Sequence, residues 1–222
     1  MSSRGKLVII SSPSGAGKTT LAHKLLDEHS AHMQFSISYT TRAPRRNETD
    51  GVDYSFVSVE KFEAMAEAGE FAEWALVHGN RYGTSLAVVE EALTTGVDVV
   101  FDVDWQGGKQ LSEKWPDDAL MIFVLPPDLD ILADRLRRRA TDADDVIERR
   151  LKAALEEIGH HQLYPHLVVN DKLDDAYAEL RAIYLHCKGG ADVAPEVLEV
   201  VRTNENAGGR AHAVKLMQAA SS

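Results

Sequence analysis

The sequence predicts an α/β fold in which a parallel sheet is flanked by helices and interrupted by a smaller mixed lobe, and three observations predict it. The apolar run Leu7-Val8-Ile9-Ile10 leads into a glycine-containing loop and then into residues at helical spacing. Short apolar runs then alternate with helix-period segments through the second half of the chain, as parallel strands joined by helices require. Between these two regions lies an alternating, turn-rich stretch that departs from the pattern.

Residues 6–11 read as the first strand and 17–29 as the first helix, with Leu21, Leu25 and Leu26 on one face. The connection Ser11-Ser12-Pro13-Ser14-Gly15-Ala16-Gly17-Lys18-Thr19-Thr20 reads as a phosphate-binding loop. A buried strand that ends in a glycine turn and opens a helix leaves several backbone N–H groups facing one concavity, which suits an anion. Gly15 and Gly17 keep side chains out of that space, Lys18 supplies a point charge for terminal phosphates, and the Thr19 hydroxyl is placed to ligate magnesium. The pattern G-x-x-x-x-G-K-[ST] puts Ser12 where its first glycine belongs, a departure at one position. By itself the stretch also reads as an ordinary Gly/Ser turn into a helix.

Residues 35–39 alternate like an edge strand, 40–47 form a polar, basic, proline-broken loop, and 52–57 alternate again. Ser58 is a candidate cap for a helix over 59–68 that stops at Gly69, with Phe62, Met65 and Ala66 inward. Residues 71–78 alternate loosely, Gly79-Asn80 makes a turn, and Thr84-Ser85 starts a helix that ends at Gly96. Residues 36–86 therefore form the mixed lobe, inserted into a core of 1–35 and 87–186. In that core, 97–104 is a buried strand, 107–114 a helix, and 120–125 a strand stopped by Pro126-Pro127, with Asp128 placed to cap the next helix. Helices over 129–139 and 146–158, joined by polar 141–145, are followed by a strand at 167–170 and a helix at 176–185. From 187 to 222 the composition changes, with Gly189-Gly190, a helix near 196–201, Gly208-Gly209 and a small-residue C-terminus, and no role is assigned to it.

With 24 basic and 35 acidic residues and a formal charge of -11, the chain is a poor candidate for a general nucleic-acid binder, which needs a basic face. A phosphate site here has to be a local basic focus. The single cysteine, Cys187, cannot form an internal disulfide and suits a reducing compartment. No apolar run reaches the length of about 18 residues that marks a membrane span, and the N-terminus lacks a signal-peptide core, so the cytoplasm is the expected location and no membrane partner is expected. The oligomeric state is left open, with a homodimer as the association to test.

A triphosphate loop needs a second electrostatic element, because phosphoryl transfer is mostly positioning and charge stabilisation. The dense basic focus is Arg135, Arg137, Arg138, Arg139, Arg149 and Arg150, which defines a lid at about 135–150. Arg135 and Arg139 share a face at four-residue spacing and Arg150 lies on the next helix, so these three are assigned to phosphate; the others read as a solvated face beside Asp142, Asp144, Asp145 and Glu148. Arg42 and Arg45 with Tyr54 and Tyr82 suggest a second anion site, since guanidinium grips phosphate through paired hydrogen bonds. Asp102 and Asp104 follow a buried strand, where they either reach a magnesium hydration shell or are merely solvated, and Asp98 receives no role.

Several motifs in order carry a resemblance over about residues 6–186. Ser12-Pro-Ser-Gly-Ala-Gly-Lys18, Ser38-Tyr-Thr-Thr-Arg42-Ala-Pro-Arg45, Gly51-Val-Asp-Tyr54-Ser-Phe-Val57, Gly79-Asn-Arg-Tyr82-Gly-Thr84, Asp102-Val-Asp104-Trp-Gln-Gly107 and Val169-Asn170-Asp171 are similar to the successive motifs of guanylate kinases, a family of P-loop nucleoside monophosphate kinases with a P-loop nucleoside-triphosphate hydrolase-like core. The resemblance implies transfer of the γ-phosphate of ATP to GMP, and also to dGMP, with Mg2+ as cofactor. It implies that Ser14, Gly15, Ala16, Gly17, Lys18, Thr19, Thr20 and Asn170 bind ATP, with Asn170 near adenine, and that Lys18, Arg42, Arg135, Arg139 and Arg150 act in catalysis. Arg42, Arg45, Tyr54 and Tyr82 would hold the GMP phosphate, Ser38, Glu73, Thr84 and Asp102 would surround guanine, and Thr19, Asp102 and Asp104 would hold Mg2+, partly through water.

The chemistry agrees with this assignment. Guanine presents an N1 hydrogen and a 2-amino group side by side, two donors that one carboxylate accepts together. Outside its motif, Glu73 would read as an exposed strand carboxylate before Trp74. Ala140 and Arg81 stand where the family often has glycine and an aromatic, respectively. His160-His161 with His166 and Cys187 fits no usual zinc spacing. Two other functions are weighed against this one. A non-catalytic guanylate kinase-like binding module would be expected to lack Lys18, Thr19 or the lid arginines, and a related P-loop kinase for another small phosphorylated acceptor would lack the guanine-facing set.

Overall fold

The computed structural model describes residues 4–77, 79–139, 144–189, 195, 196, 199, 201 and 208–220, with backbone alone at 138, 139 and 144–146. The core opens with β1 (Leu7–Ser11), α1 (Lys18–His29) and β2 (Met33–Phe35). The lobe follows as β3 (Tyr39–Thr40), β4 (Ser55–Phe56), α2 (Val59–Glu67), β5 (Phe71–Val77) and β6 (Asn80–Ser85). The chain returns to the core through α3 (Leu86–Thr95), β7 (Asp98–Asp102), α4 (Trp105–Lys114) and β8 (Ala119–Leu125). Next come the paired helices α5 (Leu129–Arg139) and α6 (Asp144–Gly159), a 3-10 turn (His160–Leu163), β9 (His166–Val169), α7 (Leu173–Gly189) and α8 (Gly208–Ala219).

The core sheet has the order β2-β7-β1-β8-β9 and is parallel throughout. β1 is buried at every position because it lies in the middle, with helices on both faces. Leu7 and Ile9 join Phe101, Phe123 and Leu167 on one face, under Leu93 of α3 and Leu111 of α4. Val8 and Ile10 join Val100, Ile122 and Val168 on the other, under Leu21 and Leu25 of α1 and Leu180 and Ile183 of α7. Each such buried side chain contributes about 1.5–3 kcal/mol, so the strand ends that carry the site are held by the stiffest part of the molecule. Helices α5 and α6 have a small core of their own, Leu132 and Leu136 against Ile147 and Ala154.

The lobe sheet, β4-β3-β6-β5, is mixed. The expected strand over 35–39 is divided between two sheets: β2 ends in the core and β3 opens the lobe. Alternation continues through the crossing, because both strands present one buried face, so the pattern does not reveal the exit. The expected strand over 52–57 shortens to β4. Thr49 and Asp50 tighten a turn there, taking Asp53 Oδ2 on the Thr49 amide (2.7 Å) and placing Asp50 Oδ1 on the Phe56 amide (2.9 Å). Helix α7 extends four residues past 185, anchored by Asp98, whose buried carboxylate accepts from the Lys6 amide (2.7 Å), Tyr184 hydroxyl (2.7 Å) and Lys188 Nζ (2.9 Å). The helix expected near 196–201 lies largely outside the described residues. Helix α8 was not foreseen; it seats Ala213 and Leu216 in the core and presses Gly209 onto Leu167 of β9. Among the described residues, no helix is long and apolar enough to cross a membrane.

Candidate active site

The parallel register that pairs Ile10 with Asp102 sets the ends of β1 and β7 side by side, at the point where successive connections leave the sheet in opposite directions. The phosphate loop rises from that end of β1. Gly15 and Gly17 sit at φ 92° and 95°, in the left-handed region that favours glycine. A Cβ on Gly15 would stand 3.1 Å from Leu132 and 3.2 Å from Leu136 of α5, and one on Gly17 would run into the Asn170 amide. The loop is thus packed from behind by α5 and by the residue after β9.

That packing is polar as well as apolar. Asn170 is buried and donates Nδ2 to the Ala16 carbonyl at 2.7 Å. Arg135 bridges the same carbonyl at 3.4 Å and the Asn170 carbonyl at 3.2 Å. Ser11 Oγ accepts from the buried Tyr164 hydroxyl (2.7 Å) and donates to the Val103 carbonyl (2.9 Å). On the open side, Lys18 forms an ion pair with Asp102 and donates to the Val103 carbonyl at 3.0 Å, while Thr19 Oγ1 donates to the other Asp102 oxygen at 2.6 Å. Burial pushes the Asp102 carboxyl upward, but Lys18 and Thr19 outweigh it and hold the group below the usual carboxylate range. Thr19 and Asp102 thereby place two hard oxygen donors together, the donor type that suits Mg2+. Asp104 caps α4 instead, accepting from the Gly107 amide at 3.0 Å and Gln106 Nε2 at 2.9 Å, while still facing the cavity.

The lobe supplies the opposite wall. Glu73 is 4% exposed and accepts from Thr84 Oγ1 at 2.8 Å; Thr84 in turn meets Ser36 Oγ at 3.0 Å and Ser38 Oγ at 3.5 Å. Burial pushes the Glu73 carboxyl up to about 7, helped by the charge of Asp104 and opposed by Thr84. The expectation of an exposed carboxylate outside its motif is therefore wrong, because the hairpin β5–β6 turns Glu73 in against Gly107. A cavity of about 320 Å³ lies between the two walls. Ser14, Gly15, Gly17, Lys18 and Thr19 line it from the loop, Ser38, Tyr54, Glu73 and Tyr82 from the lobe, and Asp102 and Asp104 from beyond β7.

Other sequence-predicted residues stand outside that lining. Arg42 lies over the Tyr54 ring at 5.3 Å, with its guanidinium bonded to Glu48 at 2.8 Å. Arg45 is 77% exposed by side chain, and its amide donates to the same carboxylate at 2.7 Å. Thr84 stands behind Glu73, Ala16 and Asn170 behind the loop, and Thr20 on the exposed first turn of α1. Arg150 is half-buried on α6, and the side chain of Arg139, like Ala140, lies outside the described residues. Arg81 pairs with Glu63 of α2 at 2.5 Å. His160 stacks on Trp105 (centroids 3.6 Å apart, 12° between planes), and among the described residues no group of three or more His, Cys, Asp or Glu side chains could hold a metal.

Sequence reasoning missed two carboxylates. Glu48 pairs with both Arg42 and Arg45, and its position three residues after Arg45 is a usable signal. Glu157 of α6 lines the cavity and accepts from the Ser14 amide at 3.0 Å; it lies two turns after Arg150 on the same helix face. Among the described residues, the cavity wall carries the carboxylates Glu73, Asp102, Asp104 and Glu157 and the cation Lys18. Such a wall accepts a polyanion only with added positive charge, from a cation or from arginines that turn inward.

Comparison with known proteins gives the same direction. The family model described as guanylate kinase matches residues 4–186. The guanylate kinase of Geobacter metallireducens is 48% identical over 183 residues, covering 82% of this chain and 89% of that protein. That of Anaeromyxobacter dehalogenans is 53% identical over 183 residues, with 82% and 80% covered. The crystal structure of guanylate kinase from Anaplasma phagocytophilum superposes with a TM-score of 0.70 at 31% identity, covering 90% of this chain and 95% of that one. A phosphate loop facing a buried carboxylate across one cavity, matched along most of its length by these relatives, shows that the chain belongs to the guanylate kinase family.

Proposed function

We infer that this chain is an ATP:GMP phosphotransferase, moving the γ-phosphate of ATP to GMP or dGMP to give ADP and GDP or dGDP. The observation that carries the reading is that Glu73 and Lys18 line one cavity, so an acceptor base and a donor phosphate meet in it. The N1 hydrogen and 2-amino group of guanine would both donate to Glu73. Adenine, with no such donor pair, would leave the buried carboxylate unsatisfied at a cost of about 1–3 kcal/mol or more. Thr84 and Ser38 would fix the carboxylate and the base edge, and Asp102 would close the site below.

The GMP phosphate would be held by Tyr54, Tyr82 and Arg42, with Arg45 turning in from the surface. Arg42 would exchange its Glu48 partner for phosphate, since a dianion between two guanidinium groups is the stronger acceptor. On the donor side, the amides of residues 14–20 would hold the β-phosphate, with Asn170 near adenine. Lys18 would leave Asp102 to follow the charge on the moving phosphoryl group. Arg135, Arg139 and Arg150 would add positive charge as α5 and α6 close. Mg2+, held by Thr19 and Asp102 and through water by Asp104, would neutralise charge between the phosphates. No general base is required, because the GMP phosphate is already an ionised nucleophile. The proposed setting is the cytoplasm, with ATP and GMP as the partners.

A coupled assay offering ATP with GMP, dGMP, AMP, UMP and CMP in turn tests the reading. GMP and dGMP are expected to be phosphorylated and the others to be poor acceptors. Comparable turnover with AMP or a pyrimidine nucleotide would contradict the assignment, and absence of turnover with every acceptor would indicate a binding module.

A further inference from the structure

The clamp between helix α4 and the edge of the lobe sheet points to a residue that selects guanine without touching it. We propose that Gln110 is a positioning residue for base recognition, aiming Glu73 by holding the backbone of its neighbour Trp74; this rests on the guanine-accepting role given above to Glu73. Strand β5 is the edge of the lobe sheet, so the outward amide and carbonyl of Trp74 have no strand partner. Gln110 takes that place. Its Oε1 accepts from the Trp74 amide at 3.1 Å and its Nε2 donates to the Trp74 carbonyl at 2.8 Å. A side-chain amide has the same donor and acceptor geometry as a peptide group, so Gln110 acts as one residue of an extra strand.

The position of the clamp gives it a specific consequence. β5 shifts register between Phe71 and Glu73, and such a bulge redirects the side chains beside it. Glu73 therefore owes its direction to a local irregularity, fixed on one side by the β6 ladder and on the other by Gln110. Gly107, one helical turn before Gln110, packs so closely that a Cβ there would stand 2.8 Å from Glu73 Oε2. The same face of α4 thus touches the Glu73 carboxylate and grips the next peptide, and α4 is itself started by Asp104 beside the donor site. Gln110 ties the angle of the guanine acceptor to the core that carries the phosphate loop.

The test is steady-state kinetics with GMP and with IMP, whose base keeps the N1 hydrogen but lacks the 2-amino group, together with KM for ATP. Gln110→Ala and the nearly isosteric Gln110→Met, which keeps volume and helix propensity without either hydrogen bond, are compared with Glu73→Gln. Both Gln110 variants are expected to raise KM for GMP about tenfold and to narrow the preference for GMP over IMP, while KM for ATP changes by less than about twofold. A Gln110→Met enzyme with the wild-type GMP-to-IMP preference, or one in which GMP and ATP kinetics fall together, overturns the proposal while leaving Glu73 in its role if Glu73→Gln lowers that preference. A Glu73→Gln enzyme with unchanged preference removes the guanine reading and the Gln110 proposal with it.

Discussion

The two walls of the cavity differ in how far they are built before any nucleotide arrives. On the loop side, Lys18, Thr19 and Asp102 already contact one another, two glycines sit in the turn geometry they require, and Asn170 and Arg135 brace the loop from behind. On the lobe side Glu73 is held by Thr84 and Arg42 stands against Tyr54 and Tyr82, but the charge of Arg42 is met by an internal carboxylate. Arg42 is bonded to Glu48, and Arg45 extends into solvent. The loop site is made mainly of backbone fixed by a buried sheet, whereas the proposed acceptor phosphate site would be made of long side chains on a short, irregular segment. The first can be pre-organised cheaply; the second has to exchange an internal carboxylate for a ligand phosphate.

The most severe way to break this contrast is to remove the loop cation. Lys18→Ala is expected to lower kcat by about a thousandfold or more while leaving the circular dichroism spectrum near wild type. Near-normal turnover would show that the loop does not carry the donor. Glu73→Gln attacks the finished part of the lobe. It is expected to lower kcat/KM for GMP by roughly a hundredfold with little change in ATP affinity, and an unchanged GMP preference would move the base site elsewhere.

The same carboxylate predicts a pH effect. Burial raises it from 4.5 in the unfolded chain to about 7 in the folded one. A raised acid binds more protons folded than unfolded, so the stability it contributes is complete below about 4.5 and is lost as pH rises through about 7. The loss is about 3 kcal/mol, the shift converted at 1.36 kcal/mol per unit. Urea denaturation of the ligand-free protein should therefore show Glu73→Gln more stable than wild type at pH 8, with the gain absent at pH 4. Equal differences at both values would mean that folding does not raise the Glu73 carboxyl.

The smallest expected effect sharpens the contrast from the other side. Glu48→Gln frees Arg42 and Arg45 from their internal partner, and KM for GMP should fall about threefold, with KM for ATP unchanged. A large rise in KM would show that Glu48 holds the arginines in their working position instead of competing for them.

The difference between the walls also explains what could be read from the sequence. β1, the loop and α1 were legible because a central parallel strand is apolar at every position and glycine spacing fixes the turn that follows. Glu73, Ser38 and Tyr82 were legible as a set through their motifs. The burial of Glu73 was not, since it depends on Gly107 arriving from a distant helix. The direction of Arg42 was hidden because its identity suggests a phosphate partner, whereas its partner in the structure is Glu48. The contact of Glu157 with the Ser14 amide joins residues 143 positions apart and has no local signature. Helix α8 has little local signature because its apolar face is little more than Ala213 and Leu216, which pack in a cluster with Ile158, Tyr164 and Leu167 from distant parts of the chain.

Amide hydrogen exchange of the protein, free and with saturating GMP, tests the central contrast most directly. Residues 11–20 are expected to be well protected in the free protein and to change little, whereas residues 40–57 should gain strong protection when the GMP phosphate draws in Arg42 and Arg45. Protection at 40–57 that is already complete without GMP, or a loop at 11–20 that becomes protected only when GMP binds, would contradict the account.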